Sequence, residues 1–414
     1  MVPDGVGSKL TRVVNQHITC PVCLGPVKKN GTTSAGKTRW RCKDRSCGHS
    51  FTNTNDDPIQ TARFRMFYEW FLSSSTLSSI AAEHGYSRRQ LTRWFENFWL
   101  VHVPDNTDPN RIYDQLFVDG TYFGHQNCLL VASTKAHVVA WHWCRQEDTF
   151  NYNRLFDKVG HAPLVVTTDG HQGSLEAIKT TWSQAHIQRC LVHVKRNIQR
   201  YVGLYPVLSS GKALRGLSLS LLRVSTLDEA AEWTAKLQQF HDVYGKWLSE
   251  KTYIKDLKPE EIPKKFRRNK KFFYTHSRHR SAYELLAKLE RNKHLFTFLT
   301  SQEDAVEGQL ARDTNTLEGG INAGVKALAR YHRGMPEEHQ RTAVDWWLHL
   351  HTQYPGDPIE IARSQKWGRS ALAKVQAAST NNTTNDLDGA PARYDTGIES
   401  THTNDIGIRK GSMR

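Results

Sequence analysis

The sequence predicts an α/β core that carries a long helical insertion and follows two small N-terminal modules. Two short runs rich in β-branched residues, QLFV and PLVVTT, are each broken by Asp-Gly, which is typical of buried strands. From about residue 205 to 310 the pattern turns helical, most clearly in LDEAAEWTAKLQQFHDVYGKWL. Four of the seven cysteines cluster near the N-terminus at the spacing of a metal site.

The first module, residues 1–52, is predicted to be a zinc ribbon. A CxxC pair, eighteen residues and a second, wider pair predict a closed tetrahedral Zn²⁺ site, in which thiolates hold one structural ion. The predicted ligands are Cys20, Cys23, Cys42 and Cys47. His49 remains an alternative fourth ligand. Basic side chains around the cluster favour a ribbon that touches DNA over a purely architectural one. These side chains are Lys28, Lys29, Lys37, Arg39, Arg41, Lys43 and Arg45.

Residues 53–103 are predicted to form a helix-turn-helix. TARFRMFYEWFLSS has apolar positions at helical spacing, and the next stretch predicts a short helix, a turn at Gly85 and a second helix capped by Ser87. The first turns of that second helix carry side chains able to contact base edges in the major groove. These DNA-binding candidates are Arg88, Arg89, Gln90 and Arg93. An ordinary helical hairpin with solvated arginines is the alternative.

Three acids are the candidate catalytic residues of the core, residues 104–204 and 311–350. Asp119 and Asp169 follow the two predicted strands, so we expect each strand to present its carboxylate at its C-terminal end. Glu318 lies among apolar residues at helical spacing, which predicts a helix that delivers the third acid from the side. Oxygen ligands of this kind suit Mg²⁺ or Mn²⁺. Two such ions, about 4 Å apart, would activate an attacking water or 3′-hydroxyl and stabilise the leaving oxygen.

Each acid also fits an interpretation without chemistry. Asp-Gly is first of all a turn sequence, and Asn315 with Glu318 fits a helix capping box. Three glycines favour function at the third acid, because each costs about 1 kcal/mol relative to Ala inside a helix. We therefore expect close approach by another backbone at Gly319, Gly320 and Gly324.

The remaining core segments complete a strand, strand, strand, helix, strand order. NCLLVASTKAHVVAWHWC predicts two further strands, in which Cys128 and Cys144 are packing residues, and TFNYNRLFDKVG predicts a helix. After the second acid, His171 is predicted to cap the helix SLEAIKTTW. AHIQRCLVHV then predicts a strand, and KRNIQRYV another helix.

The predicted insertion, residues 205–310, contains KDLKPEEIPKKFRRNKKFFYTHSRHR, which mixes a dense basic run with aromatic residues. Such a segment could follow a phosphate backbone and stack on unpaired bases, or it could be a plain basic hairpin. Trp233 and Trp247 are predicted core residues of the insertion. The C-terminal extension, residues 351–414, is polar and is predicted to be disordered from about residue 378.

Composition favours a nucleic-acid partner. The 414-residue chain has a net charge of +15 and a pI near 9.5, and a surface this basic needs an anionic partner. No apolar run reaches the length of a membrane span, and the N-terminus lacks the apolar centre of a secretory signal. Clustered cysteines favour a reducing compartment. The sequence contains no nucleotide-binding loop of the Gly-Lys-Ser/Thr kind, so ATP-driven chemistry is not indicated.

The core segments resemble the DDE transposases of bacterial insertion sequences related to the Mutator superfamily. The resemblance rests on DGTYFG, TTDGHQGSLEAI, RCLVHVKRNI and TNTLEGGINAGVKALARYHRG, in this order and spacing. It implies a ribonuclease H-like fold over roughly residues 110–350, with Asp119, Asp169 and Glu318 as the catalytic metal ligands. It also places Cys190 and His193 in the family's Cys-x-x-His element, where they would support the core or the active site.

We therefore expect a transposase that binds the terminal inverted repeats of an insertion sequence and performs metal-dependent cleavage and strand transfer. Its partner would be double-stranded DNA, and Arg330 and Arg333 would grip the DNA backbone. The resemblance implies a homodimer or larger assembly, in the bacterial cytoplasm at the nucleoid. A structure-specific nuclease of the same fold and a DNA-binding regulator derived from a transposase are the alternatives.

Overall fold

The computed structural model describes residues 18–20, 22–23, 25–52, 57–123, 127–258, 262, 271–314, 317–372 and 374, without the side chains of residues 317 and 318. These residues fall into two compact units. The N-terminal unit takes the described residues up to Val103, Gly334–Thr342 and the segment from Asp357. The core unit takes Pro104–Arg333 and Ala343–Gly356. The predicted disordered tail beyond residue 378 lies outside the described residues.

The N-terminal unit begins with a three-stranded antiparallel sheet. Its strands are β1 (Val27–Thr32), β2 (Thr38–Cys42) and β3 (Ser50–Thr52), in the order β1-β2-β3. Among the described residues of this sheet and its loops, Cys20 and Cys42 are the buried ones. So small a sheet has almost no apolar core, and other forces must hold it together.

Three helices follow: α1 (Asp57–Leu72), α2 (Leu77–Glu83) and α3 (Arg88–Phe95). The Thr76 hydroxyl accepts a hydrogen bond from the Ser79 amide at 3.1 Å and caps α2. As predicted, Ser87 caps α3, accepting from the Gln90 amide at 3.2 Å. Gly85 makes the turn between α2 and α3 with φ of +72°, a value that favours glycine.

The N-terminal unit is held together by aromatic side chains. Phe67, which is fully buried, contacts the rings of Phe71 at 5.0 Å, Phe95 at 5.3 Å and Trp99 at 4.6 Å between centroids. Tilted and edge-on contacts of this kind add to the free energy of burying the rings. The predicted helical spacing of this segment therefore reflects a packed core.

The core unit is built on a five-stranded sheet in the order β6-β5-β4-β7-β8. Its strands are β4 (Gln115–Phe123), β5 (Asn127–Ser133), β6 (Val138–Cys144), β7 (Val165–Thr168) and β8 (His186–Arg189). β4, β5 and β6 form an antiparallel meander, whereas β7 and β8 run parallel to β4. Every residue of β5 is buried, as expected for a strand covered on both faces.

Helices cover this sheet, in the predicted order. They are α4 (Thr149–Phe156), α5 (Gln172–Thr181) and α6 (Leu191–Val202). Cys128 and Cys144 pair across β5 and β6 and are buried, as predicted for packing residues.

The predicted strand AHIQRCLVHV is wrong in its second half. The strand ends at Arg189, and α6 starts at Leu191 with Cys190 as its N-cap. The β-branched run suggested a strand, but Leu191, Val194 and Ile198 are spaced so that they form one buried helical face.

The insertion is mostly helical. Its helices are α7 (Ser209–Ser220), α8 (Leu227–Leu248), α9 (Ser277–Arg291) and α10 (Thr297–Thr300). Trp233 lies in its core at 2% exposure, and its indole nitrogen donates to the Leu217 carbonyl at 2.9 Å. Trp247 is half-buried and stacks on His276 with ring centroids 3.5 Å apart. Both tryptophans therefore pack within the insertion, as predicted.

The prediction of an all-α insertion is wrong in one place. The short strands β9 (Lys251–Tyr253) and β10 (Phe272–Tyr274) form an antiparallel ladder, because aromatic residues and Thr252 favour extended pairing there. Most of the basic run between them lies outside the described residues. Lys251 lies 4.5 Å from the ring centroid of Phe272, and Arg280 lies 3.8 Å from that of Tyr274. Cations of the chain therefore cover one face of each ring.

After the insertion, the described residues form a π-helical turn, Leu317–Asn322, and three α-helices. These helices are α11 (Ala323–Tyr331), α12 (Glu337–Leu350) and α13 (Pro358–Ser364). Among the described residues, no helix combines the length and apolar character needed to cross a bilayer.

Substituting Phe67 by Ala is expected to lower the free energy of unfolding by about 3–5 kcal/mol, because a large cavity would remain among the rings. Denaturant unfolding of the full chain measures this loss. The matched control is Ile59→Ala in α1, where the side chain is 52% exposed and the expected change is within about 0.5 kcal/mol. Equal losses in both variants would contradict the central position of Phe67.

Candidate active site and cysteine cluster

The pairing of β4 with β7 brings the first two candidate acids together. In this parallel ladder Val118 is the partner of Thr168, and Asp119 and Asp169 are the next residues on the two chains. Because neighbouring strands run about 4.8 Å apart, the two acids lie side by side at the carboxyl end of β7.

The expectation that Asp119 terminates its strand is wrong. β4 continues to Phe123, and Asp119 itself pairs with Val131 of β5. The first Asp-Gly is therefore not a turn. The strand continues because β5 still offers partners on one side after β7 has ended on the other.

This arrangement disfavours ionisation of the Asp119 carboxyl. Burial raises the pKa of its carboxyl to about 7, and the neighbouring charges of Asp169 and Glu147 act in the same direction. The imidazole of His193 opposes them and lowers the pKa. A divalent cation would relieve the same repulsion, so the residues fit a metal site of the Mg²⁺ or Mn²⁺ kind.

The second Asp-Gly is a true turn, and it accommodates an arginine. Gly170 has φ of +86°, and a β-carbon there would overlap the guanidinium of Arg189. That guanidinium donates to the backbone carbonyl of Asp169. Arg189 is 7% exposed, and burial lowers the pKa of its side chain while the charge of Asp169 raises it. The buried guanidinium of Arg189 is thus held against the backbone of the second acid.

The helix that carries the third candidate acid also reaches Asp119. Glu318 lies in the π-helical turn, and Asn322, four residues later, donates from Nδ2 to Asp119 Oδ2 at 2.8 Å. Residues four apart share one face of such a turn. The backbone of Glu318 is therefore about one turn from the hydrogen bond to Asp119. The capping-box alternative involves Asn315, which lies outside the described residues.

The expected close approach of another backbone to the three glycines is not found. A β-carbon at Gly324 would lie 2.3 Å from the indole of Trp347, so a side chain makes the close approach there. Around Gly319 and Gly320, no described atom outside the neighbouring residues and the helix's own backbone lies within 4 Å of such a carbon. The helix needs glycine at one position for packing and leaves open space at the other two.

Cys190 and His193 lie at the N-terminal end of α6. The buried Cys190 Sγ accepts hydrogen bonds from the Thr314 amide at 3.4 Å and its hydroxyl at 3.2 Å. Burial alone would raise the pKa of this thiol, but hydrogen bonds from His193 and Thr314 outweigh burial and lower it. His193 thus interacts with the thiol and also lowers the pKa of Asp119.

His171 caps α5, as predicted. Its Nδ1 accepts a hydrogen bond from the Gly173 amide at 3.2 Å. This bond stabilises the first turn of the helix that follows Asp169.

Three residues near the acids were missed by sequence reasoning: Arg189, Asn322 and Glu147. Asn322 could have been found from its spacing of four from Glu318, and Arg189 from its place at the end of a parallel strand. Nothing in the local sequence marks Glu147, because the chain from β6 brings it back beside β4.

The predicted zinc ligands meet in the N-terminal unit. The Sγ atoms of Cys20, Cys23, Cys42 and Cys47 all lie within 4.8 Å of one another, and they could hold a metal ion. The contacts of Cys20 with Cys47 at 3.7 Å and of Cys23 with Cys42 at 3.3 Å are close to the separation of about 3.8 Å in a tetrahedral Zn–thiolate site. His49 is outside this group, and its ring stacks against Phe51. Among the described residues, no other three His, Cys, Asp or Glu side chains meet so closely.

The predicted DNA-binding side chains are on the surface. The seven basic residues around the cysteines are exposed, as are Arg88, Arg89 and Arg93 on α3, while Leu91 and Phe95 bury the opposite face of that helix. Gln90 is partly buried, and Arg330 and Arg333 are exposed at the end of α11. Nothing in these positions prevents contact with phosphates.

Residues 151–249 match the Mutator family of transposases. This match confirms the predicted resemblance and supports a transposase in general. It covers just under a quarter of the 414-residue chain. Asp169, Cys190 and His193 lie inside the matched residues, whereas Asp119 and Glu318 lie outside. A comparison with curated proteins gives no match.

The metal-free protein is expected to lose stability as the pH rises from about 4 to 7. Folding lifts the pKa of Asp119 from 3.8 to about 7, so in this window the native state holds a proton that the unfolded chain has released. Asp119→Asn removes this dependence and is expected to be more stable than the wild type at pH 8, by up to about 4 kcal/mol.

Urea unfolding in EDTA at pH 5 and pH 8 measures the difference. The exposed Asp157→Asn serves as the matched control and should follow the wild type. Parallel pH profiles of stability for Asp119→Asn and the wild type would show that folding does not raise the pKa of the Asp119 carboxyl.

Proposed function

We propose that the protein is a DDE transposase with a ribonuclease H-like core. It would bind the terminal inverted repeats of an insertion sequence and catalyse metal-dependent strand cleavage and strand transfer. The observation that carries the proposal is the ladder of β4 and β7, which sets Asp119 beside Asp169. The hydrogen bond from Asn322 brings the helix of Glu318 to the same carboxylate.

The sheet order supports the proposed fold. An antiparallel meander followed by parallel strands on the other side of β4 is the arrangement expected for a ribonuclease H-like core. The third acid follows a long helical insertion, as the resemblance implies. The match to the Mutator family of transposases falls on the segment between the first and third acids.

In this mechanism two divalent cations would supply an activated water or 3′-hydroxyl and stabilise the leaving oxygen of an in-line displacement. Asp119 and Asp169 would hold these cations between them, and Glu318 would complete one of the two sites. Asn322 would orient the Asp119 carboxylate through its hydrogen bond to Oδ2. Arg189 fixes the backbone of Asp169 from behind, so that the two acids keep their spacing.

The N-terminal unit would recognise DNA through a zinc ribbon and a helix-turn-helix. The exposed arginines of α3 would contact base edges, and the basic side chains around the cysteines would contact phosphates. Arg330 and Arg333 would hold the backbone near the active site. Synapsis of two transposon ends would require a dimer or larger assembly, working on the bacterial nucleoid.

Three single variants, Asp119→Asn, Asp169→Asn and Glu318→Gln, are each expected to lower the cleavage of transposon-end DNA by at least about a thousandfold. Each of them removes a metal ligand. Binding to the ends should change by less than about threefold. Cleavage is measured in Mg²⁺ on DNA from the sequences that flank the reading frame, and binding by mobility shift.

The matched control is Asp157→Asn, an exposed acid of the same unit. An Asp119→Asn protein that still nicks end DNA in Mg²⁺ would overturn the proposal. Cleavage without strand-transfer products in a two-DNA assay would instead indicate a nuclease of the same fold.

The four-cysteine cluster is expected to hold one Zn²⁺ per chain, and Cys42→Ser is expected to lose it, because a closed site needs all four thiolates. Metal content by mass spectrometry of the purified full chain measures the loss. Cys144→Ser, a buried cysteine outside the cluster, should keep the metal. A Cys42→Ser protein with one zinc per chain would contradict the assignment.

A further inference from the structure

Glu147 is an acid beside the proposed active site to which neither the comparisons nor sequence reasoning assign a role. It lies immediately before Asp148, the N-cap of α4, and its side chain is only 10% exposed. Its amide donates to the Tyr122 hydroxyl of β4 at 3.0 Å. Its Oε2 accepts from the hydroxyl of Tyr152, a fully buried residue, at 3.0 Å. The carboxylate is thus held in a fixed position inside the fold.

The other carboxylate oxygen lies against the strand that carries Asp119. A β-carbon at Gly120 would be 2.4 Å from both Cδ and Oε1 of Glu147. Gly120 has an ordinary strand conformation and makes no turn, so the space for this carboxylate explains the glycine. The glycine of the first Asp-Gly pair therefore makes room for the Glu147 carboxylate against β4, one residue along the strand from Asp119.

Oε1 is the oxygen that remains available to a ligand. Among the described residues, only Oε2 of this carboxylate takes part in a hydrogen bond, the one from Tyr152. A carboxylate so deeply buried is costly unless a partner compensates its charge. A cation between Glu147 and Asp119 would provide that compensation.

The charged groups around Glu147 do not compensate it. Burial raises the pKa of its carboxyl and the charge of Asp169 adds to this, while Tyr152 and His171 lower it. His171 Nδ1 lies 3.8 Å from Oε2, but that nitrogen already accepts from the Gly173 amide. Tyr152 also experiences the charges of Asp119 and Asp169. The charges of Asp119, Asp169 and Glu147 therefore all act on one buried tyrosine.

We propose that Glu147 is a further carboxylate of the metal site and binds, directly or through one water, a divalent cation that Asp119 also holds. This inference rests on the proposed function. It differs from a purely structural role, in which Glu147 would serve only to satisfy the Tyr152 hydroxyl.

The test measures Mn²⁺ binding to the full chain by electron paramagnetic resonance of the free ion. Glu147→Gln is expected to weaken one site by about tenfold or more, while Asp119→Asn weakens binding at least as much. Tyr152→Phe, which removes the hydrogen bond but keeps the carboxylate, should stay within about threefold of the wild type. The matched control is Glu176→Gln, an exposed glutamate on α5.

Gly120→Ala provides a second route to the same answer, because its β-carbon would displace the Glu147 carboxylate without removing it. It should weaken Mn²⁺ binding as Glu147→Gln does, and combining the two changes should add little. Mg²⁺-dependent end cleavage should fall in parallel.

Unchanged Mn²⁺ affinity in Glu147→Gln would overturn the inference. So would a loss in Tyr152→Phe as large as that in Glu147→Gln, since the role would then be structural. In both cases a continued loss in Asp119→Asn would leave the proposed function standing. Wild-type affinity in Asp119→Asn would remove the metal site and both proposals with it.

Discussion

The parallel pairing of β4 with β7 is the constraint on which the core unit depends. It sets Asp119 and Asp169 side by side, where burial and like charge both oppose ionisation, so that the pKa of Asp119 rises to about 7. Such an arrangement reduces stability in the absence of a cation, and natural proteins keep such costs mainly at functional sites. His193 on α6 lowers this pKa, Asn322 at the end of the π-helical turn donates to the carboxylate, and Arg189 donates to the backbone carbonyl of Asp169.

In the N-terminal unit, the constraint is that the small β1–β3 sheet has little apolar surface to bury. The β1–β3 sheet buries only cysteines among its described residues, so the free energy of metal binding would supply most of its stability. The following helices instead bury a dense group of aromatic rings around Phe67. The basic side chains of both parts can then remain on the surface, where a polyanion can reach them.

The family match and the candidate chemistry overlap only in part along the chain. The matched residues include Asp169 and the Cys190–His193 pair, but the first and third acids come from outside. Pairing of β4 with β7 supplies the first acid, and the hydrogen bond from Asn322 brings the helix of the third acid to it. A comparison of sequence segments cannot show this convergence, because it is a property of strand register and helix placement.

The sequence by itself determined the local features. Cysteine spacing gave the four-thiol cluster, helical spacing gave α8 and α11, and Ser87 and His171 were recognisable as caps because local hydrogen bonds need only neighbouring residues. Tertiary structure alone decided that β4 continues past Asp119, that Cys190 begins a helix, that β9 and β10 pair within the insertion, and that Glu147 approaches Gly120. The helix after Cys190 has a local spacing that the β-branched run concealed, whereas the other three depend on partners remote in the chain, about which short-range periodicity carries no information.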